Sequence, residues 1–208
     1  MRFIAVLAVA LAMAAPARAK PPPAKKDKCG FCYLTENKTK PEWDADLSEQ
    51  RKAILTAAES YIHTVSDCGG PGREKLGADV LDQIYKDGLQ DGYKPMMASQ
   101  VKPANHSKWA GPWSWCAIYA VAAVRKAGIT DLHWGAGKMV GRKAIAGHKG
   151  AKPGDIAFWT GGLNHHDIIE KIDGKTVYTI DGNQECSGIM RKKRQLSNMA
   201  GYYKTVED

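Results

Sequence analysis

The stretch Trp113-Ser114-Trp115-Cys116-Ala117-Ile118-Tyr119-Ala120 opens an alanine- and valine-rich run, and its reading decides the fold. The run reads as a helix that begins at Ser114 or Trp115 and continues to Ala127. Arg125 and Lys126 fall in its last turn, and Gly128 is its stop signal. Cys116 therefore stands in the first turn, where the partial positive charge of the helix end favours a thiolate. About fifty residues later, Asn164-His165-His166-Asp167 leads into an apolar strand. A thiol at a helix N-terminus with an imidazole brought to it by a strand is an arrangement suited to nucleophilic attack.

Working outward, the segment from Leu47 has helical spacing, with Ile54, Ala58, Tyr61, Ile62 and Val65 on one face and Ser48 as N-cap. Glycines and a proline between Asp67 and Gly72 break it. A second short helix carries Val80, Leu81, Ile84 and Tyr85 and ends near Gly88, and residues 90–111 read as loop. After the third helix comes a glycine-rich loop, and then the pattern changes to period two with β-branched residues. Expected strands are Asp155–Thr160, His166–Ile172, Thr176–Ile180 and a last one holding Tyr202 and Tyr203. Asp173-Gly174 signals a hairpin between the middle two. Helices followed by an antiparallel sheet predict an α+β domain.

The ends place that domain in the chain. Met1–Ala19 has the form of an export signal. Arg2 is its positive start, Phe3–Ala15 its apolar run, and Ala17-Arg18-Ala19 its small-x-small cleavage pattern. Thirteen helical residues rise about 20 Å, less than the roughly 30 Å of a bilayer core. A soluble protein, exported to the periplasm or beyond, is expected. Residues 20–45 form a leader with three consecutive prolines, many lysines and Cys29-Gly30-Phe31-Cys32, and residues 46–208 form the domain. Removing the signal takes Arg2 and Arg18, so the formal charge falls from +8 to +6. That balance suits an anionic polymer. No nucleic-acid motif is present, and Arg191-Lys192-Lys193-Arg194 reads as a solvated strand or turn. The five cysteines are Cys29, Cys32, Cys68, Cys116 and Cys186. In an oxidising compartment an odd count leaves one out of the bridges. With Cys116 as that one, the other four form two disulfides in one of three pairings.

Together these pieces form a recognisable pattern. Trp115-Cys116-Ala117 with Tyr119-Ala120-Val121 resembles the nucleophile motif of the CHAP family, cysteine- and histidine-dependent amidohydrolases and peptidases. Lys152-Pro153-Gly154-Asp155-Ile156-Ala157-Phe158-Trp159 resembles that family's strand leading to the histidine. His165-His166-Asp167-Ile168-Ile169-Glu170 and Thr179-Ile180-Asp181-Gly182-Asn183 resemble the two segments that follow. The similarity runs from about Leu47 to Tyr203. It implies a papain-like fold and cleavage of peptidoglycan amide bonds, as an endopeptidase or an N-acetylmuramoyl-L-alanine amidase. It also implies Cys116 as nucleophile, His165 as base, and Asp181 or Asn183 as the group orienting the imidazole. The chain departs from the family at Asp167, where glycine is usual, and at His166, where an apolar residue is usual.

Strand geometry bears on the double histidine. A two-residue Asp173-Gly174 turn would set His166 opposite Asp181, whereas a bulged turn would set His165 there. The family register favours His165. Asp181 and Asn183, two apart on a strand, are expected to point the same way. His63, His106, His133 and His148 have no partner pattern. A metal centre is disfavoured because adjacent strand residues such as His165 and His166 face opposite ways. No cofactor is expected, and a monomer is. Two other functions compete: a non-catalytic wall-binding or interaction protein of the same fold, and a thiol–disulfide protein using Cys29 and Cys32. The latter pair follows a proline-rich tail with no strand before it, so a structural disulfide is the better reading.

Overall fold

The computed structural model describes residues 40–62, 64, 78–90, 115–135, 137–160, 165–184 and 188–208. Its helices are α1 (Glu49–Glu59), α2 (Ala78–Leu89) and α3 (Trp115–Lys126). They precede β1 (His133–Gly135), β2 (Lys138–Val140), β3 (Ala144–Ala146) and β4 (Ile156–Trp159). The chain ends in β5 (His165–Asp173), β6 (Thr176–Gln184), β7 (Gly188–Gln195) and β8 (Met199–Tyr203). β3 to β8 form one six-stranded antiparallel sheet in the order β3-β8-β4-β5-β6-β7, and β1 and β2 form a separate hairpin. The architecture is α+β. No helix among the described residues is long and apolar enough to cross a membrane.

Every residue of α3 from Trp115 to Val124 is buried. A helix apolar on all sides holds its place only when enclosed, and α3 is packed by α1, α2, β1, β5 and β6. Ile54, Leu55, Leu81 and Ile84 from the outer helices meet Ile118 and Val121, with Ile156, Ile168 and Ile180 contributed by the sheet. Removing each such side chain from water contributes roughly 1.5–3 kcal/mol, which fixes α3 against the strands that follow it. One contact sets the spacing closely. A Cβ on Gly182 would lie 2.8 Å from the Tyr119 side chain, so β6 approaches α3 because position 182 has no side chain. The opposite face of the sheet holds a second cluster that includes Ala157, Trp159, Ile169 and Val177. α1 starts where expected, with the Ser48 side chain accepting from the Arg51 N–H.

Several expectations are corrected. The hairpin turn is Gly174-Lys175, with Asp173 opposite Thr176 and Gly174 at φ 54°. The glycine supplies positive φ at the first turn position rather than the second. A bulge between Ile169 and Lys171 then shifts the ladder, so neither expected register holds, and Asp167 lies opposite Asp181. β6 runs past the expected end at Ile180 to Gln184 and includes Asp181-Gly182-Asn183. The glycine-rich stretch after α3 contains β1, β2 and β3. Arg191-Lys192-Lys193-Arg194 lies on β7, but two of its members are drawn inward: Arg191 is 10% and Arg194 27% exposed. Residues 40–45, assigned by sequence to the leader, pack on the domain. Trp43 lies against the core and reaches Glu170 with Nε1 at 3.5 Å. The export signal, the Cys-x-x-Cys pair, Cys68 and Cys186 lie outside the described residues.

Candidate active site

Cys116 is the second residue of α3, fully buried and in no disulfide. At that position its backbone N–H has no acceptor within the helix, and the aligned peptide dipoles favour negative charge on its sulfur. His165 opens β5. Its Nε2 lies 3.3 Å from Asp181 Oδ2, and the ring is also hydrogen-bonded to Cys116. With Nε2 committed to the carboxylate, Nδ1 is the nitrogen left for the sulfur. Asp167 occupies the position across from Asp181, so His165, two residues earlier on the same face, meets Asp181 along the diagonal of the ladder. Burial alone would push the imidazole toward neutrality. The hydrogen bonds and negative charge of Asp181 and Cys116 outweigh it and raise the His165 pKa to about 10. The ring is therefore an imidazolium at neutral pH, and 14% of it reaches solvent.

Behind His165 lies a second layer of charge. Asp181 and Asp167 are both completely buried. Arg194 donates from Nη2 to Asp181 Oδ2 and holds Nε 3.3 Å from Asp167 Oδ2. Trp159 Nε1 donates to that same Asp167 oxygen at 2.6 Å, and the guanidinium lies over the Trp159 ring, 5.1 Å from its centre. Burial pushes both carboxyls up. For Asp181 this is overcome by the His165 hydrogen bond and the Arg194 charge, which hold it below the usual carboxylate range. For Asp167, burial and the neighbouring Asp181 charge prevail, and it stays well above that range. The opposite directions favour one negative charge on the pair over two.

The two histidines have parted company. His166 faces the other side of β5, 9% exposed, with its ring 4.9 Å from that of Trp134 and 6.0 Å from that of Tyr203. Of Asp181 and Asn183, only Asp181 reaches His165. Asn183 is exposed at φ 57°, in the irregular part of the β6–β7 ladder, so the two do not point the same way. His133 lies half-buried on β1 and His148 is exposed; His63 and His106 lie outside the described residues. Ligand atoms of His165, Asp167 and Asp181 lie within 4.8 Å of one another, close enough for a metal ion. The Arg194 guanidinium already neutralises those carboxylates, and a dication would have to displace it.

Sequence reading missed Arg194, because a run of four basic residues looks solvated. Asp167 was the available signal: a carboxylate in an apolar strand requires a buried donor or cation.

A thiol and an imidazole thus meet at the junction of a buried helix and an antiparallel sheet. Residues 106–183 match the family model of the CHAP domain, and CHAP domains belong to the NlpC/papain-like group of cysteine- and histidine-dependent amidohydrolases and peptidases. The matched span includes Cys116, His165 and Asp181 and ends before Arg194. CHAP domains are in general hydrolytic, acting as amidases or peptidases on peptidoglycan. No curated protein and no solved structure matches the chain.

Proposed function

We propose that this protein is an exported, papain-like cysteine hydrolase that cleaves amide bonds of peptidoglycan, with Cys116 as nucleophile, His165 as acid and base, and Asp181 orienting the imidazole. One observation carries the reading: His165 holds Nε2 3.3 Å from Asp181 Oδ2 and is also hydrogen-bonded to Cys116. The Cys116 thiolate attacks the amide carbon, and the carbonyl electrons move onto oxygen. The first-turn N–H of Cys116 stabilises that oxyanion. The His165 imidazolium gives its proton to the departing amine nitrogen as the C–N bond breaks, which leaves a thioester. A water then gives one proton to the neutral imidazole as its oxygen attacks the thioester; the C–S bond breaks, restoring the thiolate–imidazolium pair and releasing a carboxylic acid that loses its proton to solvent. Asp181 keeps the ring in one orientation throughout and offsets the charge on it. Export rests on the signal-like Met1–Ala19 segment.

Muropeptides from walls digested with wild type and Cys116→Ala, compared by mass spectrometry, test this. New termini are expected only with wild type, at a lactyl–alanine bond for an amidase or within the stem peptide for an endopeptidase. Equal digestion by a folded Cys116→Ala protein would remove the nucleophile assignment.

A further inference from the structure

Two carboxylates directly opposite each other on an antiparallel ladder have Cβ atoms roughly 4.5–5.5 Å apart, and like charges so placed are destabilising. Asp167 and Asp181 stand in that relation with no exposure to water. The groups around Asp181 are His165 and Asp167 from β5, Arg194 from β7, Thr179 from its own strand, and Tyr119 from α3. His165 is committed to offsetting the Cys116 sulfur, which leaves Arg194 as the cation for the carboxylates. We propose that Arg194 is a positioning residue for hydrolysis: by gripping Asp181 and Asp167 together it keeps Asp181 as the anion that orients His165, with Asp167 as a neutral, hydrogen-bonded spacer.

This rests on the reading of Cys116, His165 and Asp181 as the reacting set, and it adds a residue from outside the matched CHAP span. The charges then balance: thiolate against imidazolium, Asp181 against Arg194, and a proton on Asp167. The geometry is specific to arginine. Nη2 serves Asp181 while Nε faces Asp167, and the planar group lies over Trp159. A lysine ammonium supplies the charge without that fork. Trp159 fixes the far end by donating to the Asp167 oxygen that Arg194 faces. The chain Trp159–Asp167–Arg194–Asp181–His165 thus transmits the rigidity of four strands to one imidazole. Arg191, three residues earlier on β7, takes no part; it pairs with Glu170 and Glu59.

The full exported chain would be compared as wild type, Arg194→Gln, Arg194→Lys, Asp167→Asn and Lys193→Gln, with folding checked by circular dichroism. Two rates are followed against pH: wall hydrolysis, and iodoacetamide labelling of Cys116, quantified on its peptide by mass spectrometry. Without the cation, Asp181 takes up its proton at higher pH, so the acidic limb of both profiles moves upward. For a shift of one unit, Arg194→Gln loses up to about tenfold relative to wild type on the acid limb, at pH below both Asp181 values, and nothing further at neutral pH. kcat is expected to fall and KM to stay. Arg194→Lys should restore part of the limb, and Asp167→Asn should stay within about threefold of wild type. Lys193→Gln, which removes an exposed charge from the same strand, should keep the limb and change at most KM.

A folded Arg194→Gln protein with the wild-type limb and kcat would reduce Arg194 to a structural role. Displacement of the limb by Asp167→Asn as large as that by Arg194→Gln would make Asp167 the ionised partner and overturn the assignment. If Arg194→Gln fails to fold, the Lys and Asn variants decide between the same alternatives. Labelling that shifts as expected on a protein unable to cut wall would sink the substrate reading and leave Arg194 in place. Absence of Cys116 labelling in wild type at every pH would sink both.

Discussion

Two arginines are drawn into this domain to meet buried aspartates, and they are used in opposite ways. Arg51 of α1 is saturated. Nη1 donates to Asp155 Oδ1 at 3.0 Å and to the Pro153 carbonyl at 2.6 Å. Nη2 donates to Asp208 Oδ1 at 2.8 Å and to the Val206 carbonyl at 3.4 Å, and Nε donates to Asp208 Oδ2 at 2.9 Å. Asp155 also accepts from the N–H groups of Lys152 and Thr205. Arg194, by contrast, is shared by two carboxyls on one ladder rung, and Asp167 Oδ1 has no hydrogen-bond partner among the described residues. The first cluster ties α1 to the loop before β4 and to the chain after β8, and its polar groups are met in full. The second sets two carboxyls opposite each other and leaves Asp167 Oδ1, Asp181 Oδ1 and Arg194 Nε without hydrogen-bond partners among the described residues, which is unfavourable for folding. What it gains is an imidazole held charged beside a sulfur. The comparison separates a stabilising ion cluster from one that stores electrostatic free energy at a site.

Removing one central charge from each cluster should break the molecule in different ways. Arg51→Ala leaves the Asp155 carboxyl buried at 1% exposure without its cation, at a cost of about 3–5 kcal/mol. Urea unfolding should show this as a lower midpoint, while the rate per folded molecule stays at the wild-type value. Asp181→Asn should do the reverse. With residue 181 neutral, Asp167 can ionise against Arg194 in its place, which leaves stability about unchanged, while hydrolysis falls on the order of 10²–10⁴-fold. Its pH signature has a definite sign. His165 keeps its proton up to about 10 against the effect of burial, with Asp181 as the first support. Without that negative charge the imidazolium deprotonates at lower pH, so the alkaline limb moves down. If Arg51→Ala cost rate and Asp181→Asn cost stability, the division between the clusters would be void.

Much of the fold was legible because local signals agreed with the tertiary outcome. The cap at Ser48, the stop at Gly128 and the apolar run from Trp115 each fix an element regardless of its neighbours. The meeting of Cys116 with His165 was legible for a similar reason, since helix start and strand start are both local features. The register was not. It depends on a bulge at Glu170, whose carboxylate is held by Arg191 and whose cause lies on another strand. The choice of Asp181 over Asn183 depends on a positive φ at Asn183, which strand periodicity does not anticipate. Arg194 escaped because alternation is invisible where both faces of a strand carry basic residues. β1 to β3 escaped because three-residue strands have too few positions to show a period.

The smallest expected effect sharpens the comparison from the stable side. Asp208 receives two of the Arg51 donors, and Lys152 Nζ lies 3.4 Å from it, yet its side chain is 30% exposed. Those hydrogen bonds from Arg51 hold its carboxyl well below the usual range against a small burial effect. Solvent screens a pair so exposed, and such pairs contribute about 0–1 kcal/mol. Asp208→Ala should therefore cost about 1 kcal/mol at most, because Arg51 keeps Asp155 and both carbonyls. The sign with pH follows from the lowered value. The contribution is fully present above about pH 3.9, the ordinary aspartate pKa, and is lost as pH falls through the folded-state value. Urea midpoints of wild type and Asp208→Ala should thus differ by a constant amount from neutral pH to mildly acid pH and converge only in strong acid. A loss as large as that of Arg51→Ala would mean that Asp208, rather than the buried Asp155, is the partner for which Arg51 is held in the core.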